Sequence, residues 1–229
     1  KKIIISFVLL SFCFVLSSCK ERTLDDIMKD GKIIVATNAE FPPFEYLDGD
    51  TITGFDIDLI KLYAKYLGVD IEINNIDFDG ALLSVSSNKA DLVIAGVTKN
   101  EKREQSLSFS NGYFSASQVV IVKKNSNISG TTIEEIRESL SQNNATIGAQ
   151  AGTVGEYYAK GDSDWDFEII PNTICQTYDN GALAIKALNN GQIDAVIIDK
   201  LPAIELTKSY SELQILDTTL TEEEYAIGV

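Results

Sequence analysis

The sequence predicts an α/β fold with two similar lobes that share one cleft. From residue 32 onward, short apolar runs alternate with segments of helical periodicity, which is typical of α/β domains. Two blocks about a hundred residues apart, at 78–94 and 178–197, also resemble each other. Each consists of an aromatic-Asp pair, a Gly-Ala-Leu helix, a turn with Asn and a buried strand that begins at Asp. The repeat predicts two lobes whose strand ends face a shared space, where ligands of open α/β sheets bind.

The first half of the chain alternates strands and helices. The helix predicted at 54–68 has apolar residues at helical spacing, Asp56 and Asp58 at its positive end, and Gly68 at its C-cap. The other elements predicted in this half are a strand at Lys32–Thr37, a strand at 69–73, a helix at 80–88 and a strand at 90–96.

The second half of the chain continues this alternation. Thr132 and Glu135 have the spacing of a capping box, which predicts a helix over 132–140. A second helix, Val154–Lys160, follows a Gly-Thr turn. The predicted strands of this half lie at Gln118–Lys123, 145–149, 195–198, 213–216 and 225–229.

The first nineteen residues have the organisation of a secretory signal. Two lysines precede an apolar run over 3–16, which is shorter than the stretch of about 20 residues that spans a bilayer. The ending Leu-Ser-Ser-Cys19 resembles a bacterial lipoprotein lipobox, which implies cleavage before Cys19 and acylation of its thiol. An ordinary signal peptide that happens to contain a cysteine is the alternative. We therefore predict a lipoprotein signal peptide at 1–18, and an acylated cysteine with a linker at 19–30.

The composition excludes several classes of function. The 229-residue chain has 45% hydrophobic residues, enough for a core, and a formal net charge of −15, which repels nucleic acid and anionic lipid. It contains no histidine, which excludes a Ser-His-Asp triad and removes the usual zinc ligand. Cys175 is the one cysteine after residue 19, so it cannot form an internal disulfide. We predict no metal site and no cofactor.

Several motifs, taken together and in this order, resemble the bacterial family-three extracellular solute-binding proteins. They are VATNAEFPPFEY at 35–46, TGFDIDL at 53–59, AGVT at 95–98 with Arg103 beyond it, FSNGYF at 109–114, QAGT at 150–153, ID at 198–199 and EYAIGV at 224–229. The resemblance covers nearly everything from residue 30 onward. It implies a two-lobed periplasmic-binding-protein fold of type II. It also implies a receptor that binds a free, polar amino acid and delivers it to the permease of an ABC importer.

The resemblance further implies how the chain divides between the lobes. Lobe 1 is expected at 31–113, completed by about 222–229 and by a further C-terminal segment beyond Val229. Lobe 2 is expected at 114–221. The chain would cross between the lobes near 113–117 and again near 218–223. Closure about this hinge would trap the ligand.

A zwitterionic ligand needs one fixed cation and one fixed anion. Arg103 suits the carboxylate, because a guanidinium can donate two parallel hydrogen bonds to it. The Thr98 hydroxyl can donate to the same carboxylate. Gly96 lets a ligand approach the backbone closely, so its carbonyl can accept from the ammonium, and the adjoining Val97 belongs to the same expected site. The resemblance makes Asp199 the partner of the ammonium.

Lobe 2 is expected to hold the carboxylate from the other side. The Thr153 hydroxyl and the backbone near Val154 lie at the positive end of a predicted helix, which attracts carboxylates. By resemblance, Phe41 and Phe78 form aromatic walls around the ligand's aliphatic stem. Phe44 is either a further wall or part of the core.

Two neutral polar residues bear on the ligand side chain. Asn38 occupies a place where relatives that bind basic or amide ligands often carry Asp, and Gln150 can hydrogen-bond a polar group. Together they favour a polar ligand side chain, with the choice between amide, basic and small polar types left open.

Two other classes of function remain open. An enzyme on the same scaffold, such as a dehydratase of a prephenate-like acid, would need Glu40 or Asp79 as its acid or base. A ligand-sensing module would need a separate receptor. The main prediction is a monomeric, non-enzymatic receptor without a catalytic residue or a nucleic-acid partner. It would lie outside the cytoplasm, anchored to the membrane by lipid at Cys19.

Overall fold

The computed structural model describes residues 22–229. The predictions of a signal peptide and of acylation at Cys19 lie outside these residues. Within residues 22–229, no helix is both long and apolar enough to span a bilayer. The same residues contain no group of three or more acidic or cysteine side chains placed to hold a metal ion.

Lobe 1 is built on a three-stranded parallel sheet. Its strands are β1 (Lys32–Thr37), β5 (Asp70–Asn75) and β6 (Leu92–Val93), and its helices are α1 (Leu24–Asp30), α2 (Phe55–Leu67) and α3 (Phe78–Ser86). The strand order is β5-β1-β6. An antiparallel meander of β2 (Glu40–Phe41), β3 (Glu45–Asp48) and β4 (Thr51–Thr53) connects β1 to α2. The parallel strands all direct their carboxyl ends to one edge of the sheet, which is where the loops of the site emerge.

Helix α1 corrects the expectation that residues 19–30 form a linker. A capping box between Thr23 and Asp26 begins the helix, and Gly31 ends it in the left-handed region at φ 68°. Ile27 packs against Ile33 and Ile60 in the core of lobe 1. One buried side chain in a seven-residue helix gives little periodic signal, which is why the sequence pattern does not reveal it.

Lobe 2 is built on a five-stranded mixed sheet. Its strands are β8 (Gln118–Lys123), β9 (Thr146–Gln150), β10 (Ile174–Tyr178), β11 (Ala195–Asp199) and β12 (Leu213–Ile215). The strand order is β10-β9-β11-β8-β12, with β8 antiparallel to both of its neighbours. The helices of the lobe are α4 (Ile133–Gln142), α5 (Val154–Lys160), α6 (Gly181–Asn189) and α7 (Lys200–Thr207). Strand β11 ends at Asp199, at the edge of the sheet that faces lobe 1.

Two short strands connect the lobes. β7 (Phe114–Ala116) and β13 (Glu223–Tyr225) pair with each other in a separate antiparallel ribbon. They lie where the sequence predicts the two crossovers, and the boundaries at residues 113 and 221 remain a prediction. The ring of Phe44 packs edge-on against Phe114 and Tyr225, with centroids 4.9 and 5.1 Å apart. Aromatic packing therefore surrounds the hinge.

The strands at the edge of the site are shorter than the sequence predicts. The strand expected at 90–96 is regular only over Leu92–Val93, because the chain turns at Gly96, where φ is 54°. The strand expected at 225–229 is also irregular. In this segment Gly228 makes isolated bridges to Val93 and Phe109, while the regular strand is Glu223–Tyr225. These turns leave the segment after β6 free to line a cavity.

Candidate ligand-binding site

A small cavity lies between the lobes, beyond the carboxyl ends of β9 and β11. Ten of the twelve predicted ligand contacts line it, together with Glu45 and Ala95. The lining residues are Asn38, Phe41, Glu45, Phe78, Ala95, Gly96, Thr98, Arg103, Gln150, Thr153, Val154 and Asp199.

Arg103 supplies a buried cation from lobe 1. Only 7% of the residue is exposed, and it lies in a short 3₁₀ turn after β6. Nη1 donates to the Thr98 carbonyl at 2.7 Å and Nη2 to the Gly152 carbonyl of lobe 2 at 3.1 Å. In the described part of the chain, no carboxylate oxygen lies within 4.0 Å of its guanidinium. Burial lowers the Arg103 pKa to about 10, so the side chain stays charged at neutral pH.

Asp199 supplies a buried carboxyl group from lobe 2. The residue is 6% exposed at the end of β11, and the Tyr225 hydroxyl donates to its Oδ1 at 2.6 Å. Burial raises the Asp199 pKa to about 7, and the charge of Glu223 adds to this rise, while the Tyr225 hydrogen bond opposes it. A cation in the cavity would favour the ionised form.

The two threonine hydroxyls of the site are directed at protein acceptors. Thr98 Oγ1 donates to Glu223 Oε2 at 2.6 Å, and Thr153 Oγ1 donates to the Gln150 carbonyl at 2.7 Å. A hydroxyl has one proton to give. Both hydroxyl protons are engaged by protein acceptors in this arrangement, and their donation to a ligand carboxylate remains a prediction. Thr153 makes no side-chain capping bond to α5, so the N–H groups of the first turn of that helix remain as donors from lobe 2.

Asn38 and Gln150 join the lobes directly. The Gln150 Nε2 donates to Asn38 Oδ1 at 2.9 Å, and Asn38 Nδ2 donates to the Ile76 carbonyl at 2.9 Å. Both amides are buried, each with 5% of the residue exposed. The two neutral side chains therefore bond to each other across the cleft, and both line the cavity.

Aromatic rings form two walls of the cavity. Phe41 and Phe78 are each 7% exposed and line it, as predicted. The Arg103 Cζ lies 5.3 Å from the centroid of the Phe78 ring. A Cβ atom at Gly96 would lie 2.9 Å from the Phe41 ring, so only glycine lets the backbone approach this wall.

Phe44 and Val97 belong to the predicted contact set but do not line the cavity. Phe44 is 2% exposed and belongs to the aromatic packing at the hinge. Val97 is fully buried in the core of lobe 1, and its carbonyl accepts from the Ala226 N–H at 3.0 Å. Since Gly96 and Thr98 on either side of it line the cavity, Val97 is directed to the opposite side of this extended segment.

Glu45 lines the cavity without having been predicted. It is fully buried beside Asp56, whose Oδ2 accepts from the Gly96 N–H and the Tyr113 hydroxyl, both at 2.8 Å. Neither Glu45 carboxyl oxygen has a donor among the described residues. Burial raises the Glu45 pKa well above its usual range, and the neighbouring Asp56 adds to this, so the protonated form of Glu45 is favoured. In the sequence, the only signal for a role of Glu45 in the site is its position within a segment rich in aromatic residues.

The two acids considered for an enzyme lie outside the cavity. Glu40 is exposed on β2, and Asp79 is exposed at the start of α3, near Gly152 of lobe 2. Neither residue belongs to the cavity lining. The acid or base that a dehydratase needs is therefore not supplied by either.

The fold and this cavity define a two-lobed solute-binding protein. The chain belongs to the bacterial extracellular solute-binding proteins, family 3, which it matches over residues 33–184. It is 29% identical over 216 residues to the arginine-binding extracellular protein ArtP of Bacillus subtilis, covering 93% of this chain and 79% of ArtP. The relationship that the sequence motifs indicate is thereby confirmed, and the family acts outside the cytoplasm.

Solved structures confirm the predicted type II fold. The arginine-bound, truncated ArgBP of T. maritima is similar with a TM-score of 0.78 and 34% identity, over 90% of this chain and 91% of that chain. The ancestral amino-acid-binding protein AncCDT-1, a precursor of cyclohexadienyl dehydratase, is similar with a TM-score of 0.78 and 31% identity. That match covers 91% of this chain and 86% of AncCDT-1. All three relatives named are binding proteins.

Proposed function

We propose that this protein captures a free amino acid outside the cytoplasm and delivers it to the permease of an ABC importer. The placement of Arg103 and Asp199 supports this most strongly. Two buried groups of opposite charge line one cavity from different lobes and do not pair with each other. The carboxylate of an amino acid would pair with Arg103 and its ammonium with Asp199, so a single zwitterionic ligand would give each buried group a partner of opposite charge.

Capture and closure are one event in this proposal. The ligand touches lobe 1 at Arg103 and lobe 2 at Asp199, so it stabilises the closed arrangement over any arrangement in which the lobes are apart. The Arg103 bond to the Gly152 carbonyl adds a direct contact between the lobes. A micromolar dissociation constant corresponds to a binding free energy of about −8 kcal/mol. The charge-assisted bidentate contact and the ammonium pair contribute to this free energy and offset part of the ordering costs. The permease would recognise the closed form.

The ligand side chain is polar, and arginine is the first amino acid to test. ArtP and ArgBP are both named for arginine. The Glu45 carboxyl oxygens also line the cavity without a donor among the described residues, so they can accept hydrogen bonds from a polar ligand side chain.

A thermal-shift screen of the common amino acids tests this proposal. A true ligand at a hundred times its dissociation constant should stabilise the fold by about 2.7 kcal/mol. Two analogues of arginine serve as matched controls: agmatine lacks the carboxylate, and 5-guanidinovalerate lacks the ammonium. Each should lose most of the affinity in calorimetry, because each leaves one buried charge without a partner. Absence of binding by every amino acid would overturn the proposal.

We extend the proposal to a lipid anchor at Cys19, supported by the Leu-Ser-Ser-Cys ending. The anchor would keep a monomeric receptor close to its permease. Metabolic labelling with an alkyne fatty acid should mark the wild-type protein and leave Cys19→Ser unmarked. Label on the serine variant would contradict the anchor and leave the ligand site unaffected.

A further inference from the structure

Two short 3₁₀ turns face each other across the cleft. Arg103–Gln105 belongs to lobe 1, and Ser163–Trp165 belongs to lobe 2. The two turn regions contact each other at two points. Lys102 forms an ion pair with Asp164, and the Arg103 guanidinium lies over the Trp165 ring, with Cζ 5.0 Å from the ring centroid. A segment of lobe 2 thus meets the cation of the ligand site directly.

The Arg103 guanidinium is held between two aromatic rings from different lobes. The Phe78 ring of lobe 1 lies 5.3 Å from Cζ and the Trp165 ring of lobe 2 lies 5.0 Å from it. The carbonyls of Thr98 and Gly152 accept two of its five N–H bonds. The two carbonyl hydrogen bonds and the two ring contacts fix the orientation of the guanidinium. Its remaining N–H groups are therefore held in place to donate to a carboxylate in the cavity.

Lobe 2 presents Trp165 as a rigid group. Its ring stacks on Tyr157 of α5, with centroids 4.6 Å apart and planes inclined by 16°, and it also stacks on Phe167 at 6.4 Å. Asp162 caps the 3₁₀ turn through the Asp164 N–H, and a bridge from Asp162 to Phe167 closes the loop at its base. The indole therefore moves with lobe 2, and its contact with Arg103 exists only while the lobes are together.

We propose that Asp164 and Trp165 form a latch of lobe 2 that closes over Lys102 and Arg103, and that Trp165 is the positioning residue of the carboxylate site. This inference rests on the proposed function. The indole face orients the guanidinium and shields it from water, and the ion pair beside it holds the turn in place. Tryptophan is the side chain that attracts a guanidinium best through its π face.

The latch predicts a kinetic signature. Its contacts form after the ligand has entered, so their loss should act on the dissociation rate and leave the association rate nearly unchanged. Trp165→Leu should dissociate roughly tenfold faster, which is the effect of a partly desolvated cation–π contact, and Trp165→Phe should lie between leucine and wild type. A merely apolar role would make leucine and phenylalanine equivalent.

Rapid-mixing filter binding with radiolabelled L-arginine, or with the strongest binder of the screen if that is another amino acid, tests the latch. It measures the rates of wild type and of every variant, including Trp165→Leu and Trp165→Phe, which contain no tryptophan. Trp165 is the one tryptophan of the sequence, so emission in wild type reports its surroundings directly. Binding should change that emission. Tyr66→Leu, which removes a ring that is 85% exposed on α2, is the matched control and should retain the wild-type rates and the emission change.

The ion pair of the latch has its own test. Lys102→Met and Asp164→Asn should each raise the dissociation rate about two- to threefold, because exposed pairs contribute little, and the double variant should be no faster than either. The pair Lys32–Glu72 has similar exposure and lies wholly within lobe 1, so Lys32→Met is the control and should leave the rates unchanged.

The possible outcomes separate the two proposals. If wild type binds no amino acid, the proposed function and the latch fall together. If wild type binds but Trp165→Leu retains its dissociation rate, or emission stays constant while calorimetry records binding, the latch alone is wrong. Equal rates for the leucine and phenylalanine variants would also overturn the positioning role, since only the π face distinguishes them here.

Discussion

The two walls of the cavity are built by the same supersecondary unit and carry opposite charge. In lobe 1, α3 leads into β6, and the chain then turns at Gly96 and reaches Arg103. In lobe 2, α6 leads into β11, whose last residue is Asp199. One wall therefore presents backbone and a cation after its strand, while the other presents a carboxyl group at the strand end itself.

The aromatic residues that begin the two units have also diverged. Phe78 lines the cavity and packs against Arg103, while Tyr178 packs into the core of lobe 2. The Tyr178 hydroxyl is buried without a hydrogen-bond partner among the described residues. The repeated unit thus determines where the strand ends of the two lobes meet. The individual side chains at those ends determine whether a lobe binds the carboxylate or the ammonium of the ligand.

Removing the cation of lobe 1 is expected to give the largest effect. Arg103→Ala should weaken amino-acid binding roughly 1,000-fold, because the ligand carboxylate would be buried without its charged partner. Calorimetry on the purified protein measures this directly. Arg137→Ala is the matched control, since Arg137 also lies over an aromatic ring, that of Tyr158, but within lobe 2 and away from the cavity. Retained affinity in Arg103→Ala would contradict the assignment of the carboxylate to lobe 1.

Neutralising the anion of lobe 2 should have a smaller effect. Asp199→Asn keeps an oxygen that can accept from the Tyr225 hydroxyl, so the buried network survives while the charge is lost. We expect a roughly 100-fold weaker affinity, because the ligand ammonium would be buried without its charged partner. The deaminated analogue 5-guanidinovalerate should bind this variant at least as tightly as wild type, because no buried charge is left without a partner. A 100-fold loss of affinity for that analogue would place the ammonium elsewhere.

Most of the fold could be predicted from the sequence, because its signals are local. The apolar run of β8, the helical spacing in α2 and the Thr132 cap of α4 each lie within one element. Helix α7 was missed because Pro202 lies in its first turn, where proline is tolerated although its presence favours a loop prediction. The short strands β2 to β4 have two to four residues each and too little periodicity to be recognised.

The identity of most site residues was likewise predictable, whereas their hydrogen bonds were not. Arg103 and Asp199 stand next to recognisable motifs, so their placement at strand ends could be anticipated. The engagement of the Thr98 hydroxyl by Glu223 depends on a contact between residues 125 positions apart. The role of Glu45 depends on the proximity of Asp56, which only the packed lobe provides. Such pairings are properties of the tertiary structure and leave no local pattern.

A third prediction tests how closely the two walls approach. A Cβ atom at Gly152 of lobe 2 would lie 1.8 Å from Asp79 Oδ1 of lobe 1. Gly152→Ala should therefore weaken ligand binding about tenfold, since the closed arrangement would be overpacked. The double variant with Asp79→Ala should recover much of this affinity.

Backbone strain at Gly152 needs its own control, because φ there is 75°. Gly31 has a similar φ of 68°, and a Cβ atom there would meet nothing within 4 Å. Gly31→Ala should lower the free energy of unfolding by about 1 kcal/mol through strain alone and leave ligand affinity unchanged. If Gly152→Ala and Gly31→Ala lost affinity equally, the close approach of the lobes at Gly152 could not be the cause of the loss.

The smallest effect expected is a dependence of ligand affinity on pH, which should come from Asp199 of lobe 2 and not from Arg103 of lobe 1. The ligand ammonium binds the ionised form of Asp199, whose pKa burial raises to about 7, while Arg103 stays charged throughout. Two other titratable groups act on this carboxyl group: Glu223 favours its protonated form, and the Tyr225 hydrogen bond favours its ionised form. Affinity should therefore fall about fivefold between pH 7 and pH 6, as a proton competes with the ammonium. In Asp199→Asn this dependence should be absent.

The free energy of unfolding without ligand should change with pH in the opposite direction to the affinity: it should decrease as the pH rises. Between the unfolded-state pKa of an aspartate, about 4, and the raised native pKa of Asp199, the native protein binds more protons than the unfolded chain. The contribution of Asp199 to the free energy of unfolding is therefore fully present below pH 4 and is lost as the pH rises through 7. Denaturant titrations of wild type and Asp199→Asn at pH 5 and pH 8 isolate this contribution. A difference that grew with pH would mean that Asp199 is ionised and paired within the protein, and a cation other than the ligand would then have to be sought.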